Sequence, residues 1–87
     1  MVETEKVKVK DKEFTVHELL AIESDDILDT EDKKLRIKKL VLKSANLSEE
    51  EYKILTLHER TEIIKAINRL NGWSEDFQKP QELEKTD

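Results

Sequence analysis

The side chains best suited to proton transfer or metal binding are the two histidines, His17 and His58. Both sit in one local pattern, Phe14-Thr15-Val16-His17-Glu18 and Leu55-Thr56-Leu57-His58-Glu59. A Thr followed three residues later by Glu fits a capping box, which puts each histidine in the first turn of a helix. A metal site would need the imidazoles to converge with carboxylates at helical spacing, and neither His-x-x-x-His nor His-Glu-x-x-His occurs. The histidines read as solvent-facing first-turn residues, and the shared pattern as convergent capping, not as a repeat. Glu23, Asp25, Asp26, Asp29, Glu31 and Asp32 form an acidic run that raises calcium as an option. An EF-hand loop needs alternating oxygen ligands, a central Gly and a Glu at its twelfth position. Here Ile27-Leu28 occupies the centre and there is no Gly, so the run reads as a solvated linker with charge suited to a helix N-terminus.

The remaining chemistry is sparse. There is no cysteine, hence no disulfide, thiolate metal site or Cys nucleophile. No Gly-rich phosphate loop and no Ser with a His in a recognisable frame is present. The expectation is a non-enzyme with no cofactor and no small-molecule substrate. Lys33, Lys34, Arg36, Lys38, Lys39 and Lys43 are grouped on one segment, but at about 100° per residue they spread around most of a helix. They make no single basic face for phosphates and read as a solvated helix surface; an acidic partner segment is the better of their functional uses. The net charge of −5 also disfavours DNA or RNA as the partner.

The elements that must position these groups are more legible. Eighty-seven residues, 43% of them charged and 36% hydrophobic, allow one thin core under a charged surface. One Gly and one Pro argue for regular elements with short connections. The start, MVETEKVKVKDKE, has no apolar signal core, and no stretch approaches the ~20 apolar residues of a membrane span. A cytoplasmic protein is expected. Val7 and Val9 alternate with lysines, which predicts a hairpin of Lys6–Lys10 with Glu13–Phe14 or a little beyond, turning at Asp11-Lys12. Thr15 and Glu18 predict a first helix over about Val16 to Glu23, stapled by Phe14 and Leu19 and failing at Ser24-Asp25-Asp26. Ile27 and Leu28 then tuck under the domain.

Asp29 or Thr30 caps a second helix, about Glu31 to Ala45, ending at Asn46. Ile37, Leu40, Val41 and Ala45 form its core stripe, while Leu35 and Leu42 lie on roughly the opposite side. That second ridge is either covered or reserved for a partner. Ser48 with Glu51 caps a short helix, with Leu47 and Tyr52 as its staple. Thr56 with Glu59 caps the last, about Leu57 to Asn71, whose Leu57, Ile63, Ile64, Ile67 and Leu70 share an arc of roughly 140°. Gly72 suits a left-handed stop, and Trp73 can fold back on the last turn. Arg60, inside that arc, either snorkels over the core edge or orients an acidic group on a partner.

In order, this gives a strand pair, Phe14-Thr15-Val16-His17-Glu18-Leu19, an acidic linker and a charged helix. Leu47-Ser48-Glu49-Glu50-Glu51-Tyr52, Leu55-Thr56-Leu57-His58-Glu59 and Ile67-Asn68-Arg69-Leu70-Asn71-Gly72 follow. Over about Val7 to Phe77 the chain resembles the small tail assembly chaperones of tailed bacteriophages. The resemblance implies a non-enzymatic protein that binds the long tape measure protein, keeps its apolar helices soluble and helps recruit tail tube subunits. It supplies no sharply defined functional residues, so the partner-binding candidates are the apolar ridge at Leu35 and Leu42, the aromatics Tyr52 and Trp73, and Arg60. Other readings are a structural head–tail or tail component of the virion and a small nucleic-acid-binding regulator.

The expected fold is α+β and mostly α, a hairpin (6–16) packed on about four helices (16–77) in one domain, with a disordered polar tail from 78. Self-association or stabilisation by a protein partner is expected; a membrane is not. For a phage-encoded chain the cytoplasm is that of the host cell.

Overall fold

In the computed structural model, which describes residues 2–72, an antiparallel two-stranded hairpin precedes four helices. The chain is α+β and mostly α. Trp73, Phe77 and the polar C-terminal stretch lie outside the described residues.

β1 (Thr4–Val9) pairs with β2 (Lys12–His17), with Val7 opposite Phe14 and Glu5 opposite Val16. Both strands are longer than the alternation of lysines and valines suggests, and the turn is Lys10-Asp11 instead of Asp11-Lys12. Lys10 holds a left-handed φ of 55°, a conformation that favours Gly or Asn over Lys. Alternation sends Val7, Val9 and Val16 inward and leaves Lys6, Lys8, Glu13 and Thr15 in solvent. The inner face packs on α2 (Lys33–Ala45) and α4 (Leu57–Asn71), where Leu40, Val41, Ile63, Ala66 and Ile67 complete the core.

Charges close the hairpin onto α4 at both ends. Glu5, on the inner face of β1, takes a forked contact from Arg69, whose Nε lies 3.1 Å from Oε2. That hydrogen bond raises the Arg69 pKa further above its ordinary value. Lys12, at the far end of the same face, lies 3.9 Å from the buried Glu59. Asn71 holds the exit from β2: its Oδ1 accepts from Leu19 N–H at 2.9 Å and its Nδ2 donates to the Ile67 carbonyl.

The first helix is displaced from its expected place. Thr15 and Val16 are strand residues, not the start of a helix, and His17 ends β2, so only His58 is a first-turn histidine. The Glu18 N–H donates to the Glu3 carbonyl and extends the ladder by one rung. The cause is tertiary. A threonine cap is worth about 1 kcal/mol, whereas burying Val16 completely is worth about 1.5–3 kcal/mol and the ladder adds to it.

α1 therefore runs over Ala21–Leu28 and contains Ser24-Asp25-Asp26 instead of failing there. Its cap is Leu20, which has no acceptor of its own; only Glu23 reaches back, Oε1 accepting from Leu20 N–H at 2.9 Å. Ile27 is its one buried residue, while Leu20, Ile22 and Leu28 stand exposed. α2 likewise begins later than Glu31: Asp32, not Asp29 or Thr30, caps it, with Oδ1 accepting from the N–H groups of Lys34 and Leu35. Thr30 instead closes the loop, donating to the Asp26 carbonyl and accepting from Lys39 Nζ.

The later caps form as expected. Ser48 and Glu51 box the start of α3 (Glu49–Lys53), and Thr56 and Glu59 box α4. Asn46 and Gly72 close α2 and α4 in left-handed conformations, with φ of 54° and 71°. Among the described residues one buried side chain is not satisfied: Ser44 is fully buried on α2, and its Oγ has no hydrogen-bond partner there.

Candidate partner-binding groove

Three elements converge on an open groove of about 560 Å³. Asp32, Lys34, Leu35, Ile37 and Lys38 line it from α2, Tyr52 from α3 and Arg60 from α4. The caps explain the convergence. The Asp32 cap starts α2 so that its first two turns present Leu35 and Ile37 to the groove. The Ser48 and Thr56 boxes hold α3 and α4 in tandem, eight residues separating Tyr52 from Arg60. Arg60 Nη1 donates to the Tyr52 hydroxyl at 3.3 Å, which fixes both heads at the wall. Lys38 Nζ lies 2.6 Å from Glu49 and ties the α2 wall to α3.

The lining is mixed: Leu35, Ile37 and Tyr52 are apolar or aromatic, and Asp32, Lys34, Lys38 and Arg60 are charged. Leu35 is 44% exposed, a high value for a leucine on a helix that packs into a core. Ile37 and Tyr52 are half-buried and touch the core from the groove side. A smaller open pocket, lined by Tyr52, Leu55, Thr56, Leu57 and Arg60, adjoins it and shares the Tyr52–Arg60 pair. By spacing Leu57 belongs to the apolar arc of α4, yet it is 71% exposed. As the first residue of α4 it precedes the part of that helix that enters the core. Ile54, just before the α4 cap, is similarly exposed.

Of the residues singled out in the sequence, the groove brings together Leu35, Tyr52 and Arg60. Leu42 is not among them. It is half-buried about two turns further on, and its carbonyl accepts the closing N–H groups of Asn46 and Leu47. The expected Leu35–Leu42 ridge is thus split, with Leu35 alone facing the groove. Trp73 lies outside the described residues. Sequence reasoning missed Ile37 as a lining residue because it belongs to the core stripe, and missed the placing of Lys34 and Lys38. Their i, i+4 spacing beside Leu35 was the available signal.

Among the described residues, no group of three or more His, Cys, Asp or Glu is placed to hold a metal ion, and no helix is long and apolar enough to cross a membrane. Comparison with protein-family models, with curated proteins and with solved structures gives no match.

Proposed function

We propose that this protein is a non-enzymatic tail assembly chaperone that holds helical apolar segments of a tape measure protein in solution until the tail tube encloses them. The observation that carries this reading is the groove beside Leu35, where an exposed aliphatic side chain lies next to a Tyr–Arg pair. Tyr and Arg are the side chains that dominate binding at protein interfaces, and a shallow apolar trough between helices is the shape that accepts the apolar face of another helix. The heavily charged remainder suits a holding protein, which must keep an aggregation-prone client dispersed. The sequence resemblance to such chaperones points the same way.

The test is co-expression with a helical tape measure fragment that is insoluble alone. Retention of the fragment in the soluble fraction, lost with Leu35→Lys while that variant keeps its fold, is the expected result. A fragment that aggregates equally with and without the protein overturns the reading.

A further inference from the structure

The groove is electropositive on an acidic protein. Three of its lining residues are cations, Lys34, Lys38 and Arg60, against one carboxylate, Asp32. That carboxylate is engaged as the α2 cap, accepting the Lys34 and Leu35 backbone N–H groups at 2.9 and 3.2 Å. Lys38 is answered by Glu49. Among the described residues Lys34 and Arg60 make no ion pair, although the chain carries 21 carboxylate side chains that could have answered them. They stand on different walls, Lys34 on α2 and Arg60 on α4, with Leu35, Ile37 and Tyr52 between the elements. The first turn of α2 contributes no acidic residue beyond the Asp32 cap.

Resting on the reading of this groove as a binding site, we infer that its ligand is an amphipathic helix of another protein, with a narrow apolar ridge flanked by Asp or Glu. The ridge fills the trough over Leu35 and Tyr52. A carboxylate on one flank reaches Lys34. One on the other takes the outward guanidinium N–H groups of Arg60, whose Nη1 the Tyr52 hydroxyl already holds. A helix with basic flanks would bring like charges to both walls, so the groove selects among apolar helices by charge.

The probes are three synthetic helical peptides of about four turns, long enough for marginal helicity in water. All share one leucine ridge, flanked by Glu in the first, Gln in the second and Lys in the third. Each is titrated into the isotope-labelled full chain. The Glu peptide is expected to bind about three- to tenfold more tightly than the Gln peptide at low salt. That advantage should shrink as salt rises through the range where the Debye length falls below about 10 Å. Resonance shifts should centre on Leu35, Tyr52 and Arg60. Lys34→Glu, a change at an exposed position, should move the preference toward the Lys peptide. Equal affinity for Glu and Gln peptides, a preference for Lys, or shifts centred away from the groove would overturn the inference, while binding of any peptide in the groove would leave the chaperone reading standing.

Failure of all three peptides overturns the inference as well; the solubility assay then judges the chaperone reading by itself. Because α1 also carries exposed apolar and acidic residues, the protein alone is sedimented over the same concentrations. Dimers that shift the resonances of α1 together with those of the groove would assign the groove to a second copy, against the inference.

Discussion

α4 and α1 both begin after a cap residue in extended conformation, and each opens with a glutamate reaching back to the N–H of that residue. There the likeness ends. Thr56 offers α4 a hydroxyl that the Glu59 N–H uses at 3.0 Å, whereas Leu20 offers α1 nothing. α4 closes on a left-handed Gly72 with Arg69 in its last turn, as the helix dipole prefers; α1 ends among Asp25, Asp26 and Asp29 with no basic residue in its own last turn, and only Lys39 of α2 reaches over, 3.8 Å from Asp26. α4 buries Ile63, Ala66 and Ile67 against the hairpin and α2, while α1 buries Ile27 and packs mainly on α2. A helix of eight residues is far below the length that is stable by itself. α1 exists because Ile27 is held, and α4 is what does much of the holding elsewhere. Local opening should therefore be easy in α1 and nearly global in α4.

The largest test of that contrast removes one buried isoleucine from each. Ile67→Ala should cost about 2–5 kcal/mol, a large share of the ~5–15 kcal/mol typical of a domain, and should lower amide protection in every element at once. Ile27→Ala should strip protection from α1 and leave the hairpin, α2 and α4 close to their original values in native-state hydrogen exchange. Uniform loss in both variants would mean that α1 is part of the cooperative core. A smaller effect comes from α2, the helix both regions lean on. Ser44→Ala removes a hydroxyl with no partner and should raise stability by about 1 kcal/mol, seen as a rise of about 4–8 °C in Tm. A fall in Tm would show that Ser44 finds a bond in solution. The smallest change supplies α1 with what it lacks. Leu20→Ser alters an exposed position and should add about 0.5–1 kcal/mol to α1 protection with little change in the midpoint of global unfolding.

The same contrast explains what could be read in advance. The starts of α3 and α4 and the stop of α4 are legible because Ser48, Glu51, Thr56, Glu59 and Gly72 act within a few residues of where they sit. Thr15 and Glu18 carry the same local signal, and it misleads. Val16 is claimed by a register partner, Glu5, eleven positions earlier, and by a core that no window around Thr15 contains. Asp29 and Thr30 offer the same local signal because several short polar residues compete there, and the cap falls to Asp32. In the groove, Leu35, Tyr52 and Arg60 were legible as types suited to an interface. Leu42 was paired with Leu35 by spacing alone, but the turn after α2 draws its backbone into the C-terminal cap. The exposure of Leu57 depends on where α4 first meets its neighbours, and no periodicity encodes that.

The clasp between Glu5 and Arg69 has a consequence for the order in which the molecule can assemble. The two residues are 64 positions apart in sequence. At ~5–20 residues per second, roughly 3–13 s of synthesis separate them. Until α4 is made, the hairpin has at most the α2 part of the surface it closes on, and a two-stranded hairpin is marginally stable by itself, so Val7, Val9 and Val16 stay incompletely covered. The hairpin is the first element translated and among the last to be secured, so on the ribosome this protein's own valines are exposed to the hazard from which, on the reading proposed here, the finished protein shields its client.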